Sequence, residues 1–438
     1  MKRLFGTMLL LLVAVTCYAK GPKYIFYFIG DGMGPSHVLG TELYLGELQR
    51  TIGRPQRLCF TQFPESAFVT TYSATNGVTD SAASGTALST GCKTYNSAIG
   101  VGKDTVEVYS VAADLAGKGM AIGVATTVPI NHATPAAFYA HNMSRHNYDS
   151  IAPWMLKAGY DFYAGGDIKG SNETRALVYG KAHEQGYTIA RGYKEYGEKA
   201  VTAKKMMLYQ ENVSTELPYA INRNANDLTL AEITAAGIDF LEGKSKKGFF
   251  MMIEGGKIDY AAHNDDAATV FQEVLDFDAA VAVAYEFYKK HKDETLIIVT
   301  ADHETGGLVL GYCGDYSLNL KALSSQKVSV ERMIEILQAQ KETTWGRIEE
   351  LVKEYIGVKP RGNRNADEKV TVDHSLASEI AYGAIYDLNR SAALSWASGN
   401  HSGTFVPLFA IGKGAEKFNG VIDNTDVPKI IRELKGVE

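Results

Sequence analysis

The stretch from Gly77 to Ala87 places a serine where a helix is expected to begin. Gly77 is typical of a turn, and Thr79 and Asp80 are typical helix N-caps. The free N–H groups and the dipole of a helix N-terminus favour negative charge, so Ser81 could bind an anion or act as an alkoxide nucleophile. The same pattern also describes a capping serine on a packing helix of small residues, and this stretch alone does not separate the two.

A second group of residues has the chemistry of metal ligands. Asp259 and His263 stand four residues apart, which places both side chains on one face of a helix. One such pair is a weak signal, but it belongs to a larger set of acids and imidazoles: Asp31, Glu254, Asp259, His263, Asp302, His303 and His401. So many ionisable groups in apolar surroundings require compensating cations. Carboxylate with imidazole suits zinc, and carboxylate with hydroxyl and water suits magnesium.

Arg145 offers a third kind of chemistry, because a planar guanidinium can hold two oxygens of one phosphate group. It follows the segment 133–141, which begins with Ala-Thr-Pro and ends with Tyr-Ala-His. A single arginine is more often a solvated surface residue. The assignment of Arg145 to a phosphate site therefore depends on the other motifs.

The elements that must position these residues alternate between apolar runs and amphipathic helices. Runs typical of buried strands cover residues 23–30, 121–126, 160–164, 248–253, 296–300 and 406–411, and helical spacing covers 270–289. This alternation predicts an α/β fold with a doubly wound, mostly parallel sheet and helices on both faces. Ligands of such sheets bind beyond the carboxyl ends of the strands. Asp31, Glu254 and Asp302 each follow an apolar run, and Thr126 and Thr127 close another.

Two stretches depart from the simple alternation of strands and helices. Residues 147–245 contain strand and helix pieces with many charges, and we expect them to stay within the main domain. Residues 314–395 separate His303 from His401 and contain helical patterns at 328–340 and 344–356. We expect this second stretch to be an insertion over the site or at a subunit contact. A plain second helical layer is an equal alternative.

Composition bounds the class of protein and its partners. The chain has 438 residues, 45% of them hydrophobic and 21% charged, which is typical of a soluble globular protein of one large domain or two ordinary ones. The net charge of −6 indicates no excess of basic residues of the kind that binds nucleic acid. An anionic substrate would therefore depend on bound cations or on a few arginines. The sequence is compatible with a homodimer but does not specify one.

The N-terminus reads as a signal peptide over residues 1–19. Lys2 and Arg3 provide the positive region, residues 9–15 form the centre of an apolar segment too short to span a bilayer, and cleavage is expected after Ala19. Cys17 fits the pattern of a lipoprotein cysteine poorly. We therefore expect a periplasmic or secreted protein whose mature domain covers residues 20–438. No other run is long and apolar enough for a membrane span.

Three cysteines remain after such cleavage, namely Cys59, Cys92 and Cys313. An odd number cannot pair completely, so the chain has no disulfide framework. No Cys-x-x-Cys spacing occurs, which argues against a thiolate zinc site. One pairing among the three stays open, and the sequence does not choose it.

The combined motifs resemble the alkaline phosphatase family over almost the whole mature chain. The nucleophile motif of that family is similar to Val-Thr-Asp-Ser-Ala-Ala-Ser at residues 78–84, and its first metal motif is similar to Phe-Ile-Gly-Asp-Gly-Met-Gly at 28–34. The stretches 147–245 and 314–395 carry none of the motifs. There the resemblance depends on order and spacing only.

The resemblance implies a phosphomonoesterase with two zinc ions, one magnesium ion and a phosphoserine intermediate on Ser81. It implies that Asp31, Asp302 and His303 hold one zinc and that Asp259, His263 and His401 hold the other. Asp31 would also bridge to magnesium, whose other ligands would be Thr134 and Glu254, and Arg145 would clamp the phosphate. The substrates would be small phosphate monoesters. The alternatives are a phosphodiesterase or sulfatase of the same superfamily, phosphate transfer between sugar positions, or a protein that binds phosphate or zinc without turnover.

Two further positions near the predicted site vary within the family. His132 stands where some members carry Asp and others carry His. Tyr260 follows Asp259, where members commonly carry Lys, His or Trp. We expect both residues to lie behind the direct ligands and to influence metal preference, pH optimum and turnover while the reaction stays the same.

Overall fold

The structure is a computed structural model that describes residues 21–50, 53–212, 214–312, 316–362 and 364–437. The expected signal peptide lies outside the described residues, as does Cys313. Cys59 and Cys92 are free thiols, so these two do not pair with each other. Within the described ranges, no helix combines the length and the apolar character needed to cross a membrane.

The strands are short to medium in length and are distributed along the whole chain. They are β1 (Tyr24–Gly30), β2 (Glu65–Thr70), β3 (Ala121–Pro129), β4 (Phe162–Gly166), β5 (Tyr187–Arg191), β6 (Lys205–Tyr209), β7 (Phe249–Gly255), β8 (Thr295–Ala301), β9 (Glu304–Thr305), β10 (Val309–Leu310), β11 (Glu342–Thr344), β12 (Lys369–Thr371), β13 (Leu394–Ser395), β14 (His401–Ser402), β15 (Val406–Gly412) and β16 (Gly420–Asp423).

Helices connect most of these strands. They are α1 (Pro35–Leu48), α2 (Ser81–Thr90), α3 (Val111–Gly117), α4 (Ala133–Ala136), α5 (Tyr148–Ile151), α6 (Trp154–Ala158), α7 (Asn172–Glu184), α8 (Gly192–Lys199), α9 (Leu230–Leu241), α10 (Lys257–His263), α11 (Ala267–Lys290), α12 (Val330–Gln338), α13 (Trp345–Tyr355), α14 (His374–Ser391) and α15 (Asp426–Lys435).

A ten-stranded sheet forms the centre of the molecule, in the order β16-β2-β15-β8-β1-β7-β3-β4-β6-β5. The strands from β8 to β5 in this order run parallel to one another, whereas β15 is antiparallel to both β8 and β2. With helices around it, this sheet confirms the predicted α/β class. All seven residues of β1 are buried, as are those of β7 and β8. Burial on both faces of a parallel sheet explains why these strands are continuous apolar runs in the sequence.

The helix that begins at Ser81 is packed unusually closely. All ten residues of α2 are buried, and the Asp80 side chain caps it by accepting a hydrogen bond of 2.9 Å from Ala83 N. A Cβ atom added to Gly85 would lie 3.2 Å from the Cα of Thr134, so the small residue lets α2 approach α4. This approach brings the predicted nucleophile and the predicted magnesium ligand into one neighbourhood.

The stretch 314–395 contains α12, α13, α14 and the antiparallel pair β11–β12. It contacts the main body beside the predicted site: Glu331 Oε1 accepts a hydrogen bond of 2.7 Å from Asn264 Nδ2, and Tyr382 donates one of 2.8 Å to Asn264 Oδ1. Asn264 directly follows the predicted ligand His263. Whether this stretch acts as an insertion over the site or at a subunit contact stays a prediction.

Candidate active site

Neighbouring strand ends bring the acidic residues together. In the sheet, β1 lies between β8 and β7, and Gly30 is in register with Ala301 on one side and Gly255 on the other. Asp31 and Asp302 therefore emerge next to each other, and Glu254 is one residue from the end of β7. All three side chains are fully buried. The prediction that polar residues gather at the carboxyl edge of a parallel sheet holds for this edge.

Ser81 lies at the first position of α2 and is only 1% exposed. Its Oγ atom is 3.2 Å from Nε2 of His303. The helix N-terminus places partial positive charge beside this hydroxyl, which favours an alkoxide or a bound anion over a simple packing role. The structure therefore brings the predicted nucleophile into direct contact with a predicted metal ligand.

The first group of candidate ligands is Asp31, Asp302 and His303, whose ligand atoms lie within 4.8 Å of one another. His303 Nε2 is 3.3 Å from Asp31 Oδ1 and 3.2 Å from Asp302 Oδ2. Burial and the neighbouring Asp302 raise the pKa of Asp31, and burial with the charge of Asp259 raises the pKa of Asp302 to about 8. Burial lowers the pKa of His303.

Three carboxylate oxygens of this first group accept no hydrogen bond within the part of the chain that the structure describes. Both carboxylate oxygens of Asp31 and Oδ2 of Asp302 are buried without a hydrogen bond to any described residue. Asp302 Oδ1, in contrast, accepts hydrogen bonds from the backbone N–H groups of Gly32 and His303 at 3.1 and 2.9 Å. One oxygen of Asp302 is thus oriented by the backbone and the other is left to bind a cation.

The second group is Asp259, His263 and His401, whose ligand atoms also lie within 4.8 Å of one another. His263 Nε2 is 3.3 Å from Asp259 Oδ2, and His401 Nε2 is 3.7 Å from Asp259 Oδ1. The hydrogen bond to Asp259 raises the pKa of His263 to about 9. Burial opposes ionisation of Asp259, but its pKa is lowered by the hydrogen bond from His263 and by nearby imidazoles.

Backbone carbonyls orient both imidazoles of this group. His263 Nδ1 lies 2.7 Å from the carbonyl oxygen of Gly399, and His401 Nδ1 lies 2.8 Å from that of Thr79. Since a carbonyl oxygen only accepts, each Nδ1 carries a proton, and each Nε2 points into the cluster, where the two Nε2 atoms lie 3.2 Å apart. A cation that binds there must displace any proton from Nε2. The carbonyl of Thr79 also ties His401 to the segment just before Ser81. The rings of His401 and His303 stack with centroids 3.5 Å apart.

The third group is Asp31, His132 and Glu254, again with ligand atoms within 4.8 Å of one another. Burial raises the pKa of Glu254 to about 7. One oxygen of Glu254 accepts a hydrogen bond from Thr126, whereas Oε1 has no partner among the described residues. Thr134 Oγ1 is likewise buried and unpartnered there. The sequence predicted His132 behind the ligands, whereas its imidazole lies among the candidate ligand atoms.

Arg145 is held by two neighbours of the site. Nη1 is 3.1 Å from Asp80 Oδ2, and Nη2 is 3.0 Å from His132 Nε2. Desolvation opposes the charge of the guanidinium, but Asp80 and Asp31 outweigh it and raise the pKa of Arg145. Asp80 Oδ2 also accepts a hydrogen bond of 3.0 Å from Ser97 N. Asp80 therefore caps the helix of Ser81 with one oxygen and orients Arg145 with the other.

Tyr260 lies beside this group, with its ring centroid 5.9 Å from that of His132. The ammonium of Lys257 lies 5.2 Å from the Tyr260 ring centroid and 2.9 Å from Glu216 Oε2. Sequence reasoning missed Lys257, and it missed the link between Asp80 and Arg145. The position of Asp80 next to Ser81 was a usable signal for that link, and the position of Lys257 between the predicted ligands Glu254 and Asp259 was a usable signal for the lysine.

Thr305 is a further residue that sequence reasoning missed. Its hydroxyl lies 2.5 Å from Asp259 Oδ1 and 3.2 Å from His303 Nδ1, so it connects the first and second groups of candidate ligands.

The structure brings together all twelve residues that the sequence predicted for the site. They are Asp31, Ser81, His132, Thr134, Arg145, Glu254, Asp259, Tyr260, His263, Asp302, His303 and His401.

Comparison with known proteins gives consistent matches over this site and the fold. The family model described as alkaline phosphatase matches residues 22–171 and 182–437. Alkaline phosphatase 4 of Bacillus subtilis (strain 168) is 33% identical over 430 residues, covering 94% of this chain and 88% of the relative. The tissue-nonspecific alkaline phosphatase of Homo sapiens is 30% identical over 335 residues, covering 64% of this chain and 63% of the relative.

Solved structures of similar proteins share the fold. A cold-active alkaline phosphatase from the psychrophile Shewanella sp. superposes with a TM-score of 0.81 at 30% identity, covering 94% of this chain and 99% of the other. The alkaline phosphatase of the Antarctic bacterium TAB5 gives a TM-score of 0.69 at 28% identity, covering 95% of this chain and 99% of the other.

Proposed function

Because the chain belongs to the alkaline phosphatase family, we propose that it hydrolyses phosphate monoesters through a phosphate ester of Ser81, with two zinc ions and one magnesium ion in the site. That it is a phosphoric monoester hydrolase follows from the family; the intermediate and the metals are our proposal. One observation carries it: a buried serine hydroxyl at a helix N-terminus lies 3.2 Å from a candidate metal ligand, with an oriented guanidinium nearby.

Arg145 and Ser81 have different roles in the proposed reaction. The guanidinium of Arg145 binds two phosphate oxygens and orients the phosphorus toward Ser81. Ser81 Oγ releases its proton to solvent and forms a bond to phosphorus, the bond between phosphorus and the alcohol oxygen breaks, and the alcohol takes up a proton from solvent as it leaves. Water then attacks the phosphorus of the phosphoserine, which releases inorganic phosphate and restores the hydroxyl.

The donor atoms fit the proposed cations. The first and second groups each combine carboxylate with imidazole, which suits zinc, and the unpartnered oxygens of Asp31, Thr134 and Glu254 suit magnesium. When bound, the metals supply the positive charge that offsets the buried carboxylates and the phosphate, and they favour the ionised serine. Structures of TAB5 alkaline phosphatase variants, in which one histidine is replaced by Glu or Asp, hold magnesium in a site called M3. They show that a related enzyme can hold magnesium, which supports magnesium as one of the metals proposed for this chain.

The decisive experiment is an assay of purified protein with 4-nitrophenyl phosphate, before and after treatment with a chelator. We expect hydrolysis that is lost on chelation and restored by zinc with magnesium. Parallel assays with bis(4-nitrophenyl) phosphate and 4-nitrophenyl sulfate test the diesterase and sulfatase alternatives. Faster hydrolysis of either of these two substrates than of the monoester would contradict the proposed substrate class.

We also propose that the protein is exported, on the pattern of residues 1–19, and that the mature chain begins at Lys20. N-terminal sequencing of the protein recovered from the periplasm or medium of an expressing bacterium tests both points. A chain that retains Met1 and stays in the cytoplasm would contradict them. A homodimer stays an expectation, which light scattering of the purified protein can check.

A further inference from the structure

A cleft of about 450 Å³ lies next to the candidate active site, on the far side of Tyr260. One wall is the loop 214–222, and the other is the start of α12, which belongs to the stretch 314–395. The residues that line the cleft include Glu216, Tyr219, Lys257, Tyr260, Glu331 and Glu335. The proposed function does not use this cleft.

The cleft shares a wall with the phosphate site. Tyr260 follows the ligand Asp259 and lies beside His132, which contacts Arg145. Asn264 links the two regions, since its Nδ2 donates to the carbonyl oxygen of Tyr260 at 3.1 Å and to Glu331 Oε1 at 2.7 Å. A leaving group that extends past Tyr260 from a phosphate held at Ser81 would therefore enter this cleft.

The walls offer hydrogen-bonding groups beside aromatic faces. Glu331 Oε1 accepts from Tyr219 Oη at 2.8 Å, and Glu216 is 32% exposed while it pairs with Lys257. Glu335 pairs with Arg332 on the exposed side of α12. Carboxylate, ammonium and guanidinium groups next to tyrosine rings can bind a ligand that has many hydroxyl groups and some apolar C–H surface.

The position of Lys257 argues against a cationic leaving group. Its side chain is only 6% exposed, and its ammonium lies 3.8 Å from the Tyr219 ring centroid and 5.2 Å from that of Tyr260. The aromatic faces that would bind an ammonium ligand are thus already occupied by the ammonium of Lys257, which is itself paired with Glu216. A neutral hydroxyl-bearing group does not need these aromatic faces for a cation–π contact, and it can use both the donors and the acceptors of the walls.

We propose that this cleft is a leaving-group subsite for sugar phosphates, in which the sugar hydroxyls bind the polar side chains of the loop 214–222 and of α12. The inference depends on the proposed function, because the phosphate of the same substrate must lie at Ser81. It gives the stretch 314–395 a role in substrate choice, since one wall of the subsite comes from α12.

The test compares glucose 6-phosphate with ethyl phosphate, whose leaving group has no hydroxyl, in the full metal-loaded enzyme. Glu335→Trp fills the cleft from an exposed position, and Glu331→Gln keeps one acceptor oxygen but removes the negative charge. The matched control is Glu350→Trp, on an exposed face of α13 outside the cleft. We expect the wild type to prefer glucose 6-phosphate. Each cleft variant should lower kcat/KM for it by about tenfold, the loss of one or two hydrogen bonds.

With ethyl phosphate, the cleft variants should stay within about twofold of the wild type, and Glu350→Trp should change neither substrate. Parallel losses with both substrates, no loss with either, or a wild-type preference for ethanolamine phosphate over glucose 6-phosphate would each overturn the subsite. Failure of the proposed function is distinct, because the wild type would then fail to hydrolyse ethyl phosphate as well.

Discussion

The imidazole of His132 and the guanidinium of Arg145 lie in direct contact, with Nε2 and Nη2 3.0 Å apart. An arginine N–H can only donate, so Nε2 of His132 accepts and the imidazole is neutral, which agrees with its pKa being lowered by burial and by Arg145. The ring thus contacts the guanidinium that we propose to bind phosphate, and it also belongs to the third group of candidate metal ligands. A change at residue 132 should affect both anion binding and metal choice.

His132→Asp should raise magnesium occupancy of the third group. The substitution replaces an imidazole, which suits zinc, with a carboxylate, which suits magnesium, and adds a negative charge beside Asp31 and Glu254. Metal content after dialysis against mixed zinc and magnesium measures the effect. His141→Asp, at a histidine outside the site, serves as the control. A magnesium content equal to that of the wild type would contradict a role for residue 132 in metal selection.

Ser81→Ala should abolish the phosphoenzyme and lower kcat by at least about 10³-fold while the fold persists, because alanine fits the small-residue helix α2. Acid trapping and mass spectrometry should find phosphate on Ser81 of the wild type only. Ser84→Ala is the matched control: its hydroxyl donates to the Asp302 carbonyl at 2.6 Å, so we expect a stability loss of about 1 kcal/mol with the phosphoenzyme retained. Phosphate on any other residue would refute the nucleophile.

His401→Ala should release one zinc ion more readily, with an affinity loss of more than about tenfold, because a three-ligand group loses an imidazole. The His401 ring also contacts the Thr79 carbonyl and the His303 ring, so its removal should also disturb the backbone segment just before Ser81. Zinc content after gel filtration through a weak chelator measures the loss. His291→Ala, remote from the three groups, should keep the wild-type zinc content. Equal retention in both variants would remove His401 from the ligands.

The metal-free protein should lose stability as pH rises. The folded-state pKa values of Glu254 and Asp302, about 7 and 8, lie above their ordinary values, and that of Asp31 is also raised. The folded chain then binds more protons than the unfolded chain, so this stability is present below about pH 4 and is lost as pH rises to about 8. Thermal unfolding of chelated protein should show a lower Tm at pH 9 than at pH 6, and zinc with magnesium should remove most of the difference. A Tm that rises with pH in the presence of chelator would contradict the raised pKa values of Asp31, Glu254 and Asp302.

The strands that carry the site were predictable, and the contacts that orient it were not. Strands β1, β7 and β8 are buried on both faces, so their sequences are unbroken apolar runs and their ends mark Asp31, Glu254 and Asp302. The run at 406–411 predicts β15 but not its antiparallel direction, because side-chain pattern is the same in both directions. The carbonyls of Thr79 and Gly399 orient the two imidazoles, and a backbone carbonyl has no sequence signature.

The last prediction concerns the charge that the phosphate experiences at residue 260. Tyr260 is neutral, since burial raises its pKa, and the nearby ammonium of Lys257 is paired with Glu216. Tyr260→Lys would add a second ammonium where the tyrosine ring now lies, on the side of that ring that faces the proposed phosphate position. At a separation of about 6 Å, an attraction of about 0.7–1.4 kcal/mol corresponds to a phosphate inhibition constant about threefold to tenfold lower.

The inhibition constant of inorganic phosphate, measured at constant ionic strength, tests this directly. Tyr260→Met is the matched control, because it gives a side chain of similar length without charge. The tighter inhibition of Tyr260→Lys should weaken as salt is added, since the gain is Coulombic. Tighter binding of phosphate by Tyr260→Lys should also slow phosphate release. This would lower kcat if product release limits turnover. If Tyr260→Lys and Tyr260→Met gave the same inhibition constant with an intact metal site, residue 260 would not set the charge near the phosphate.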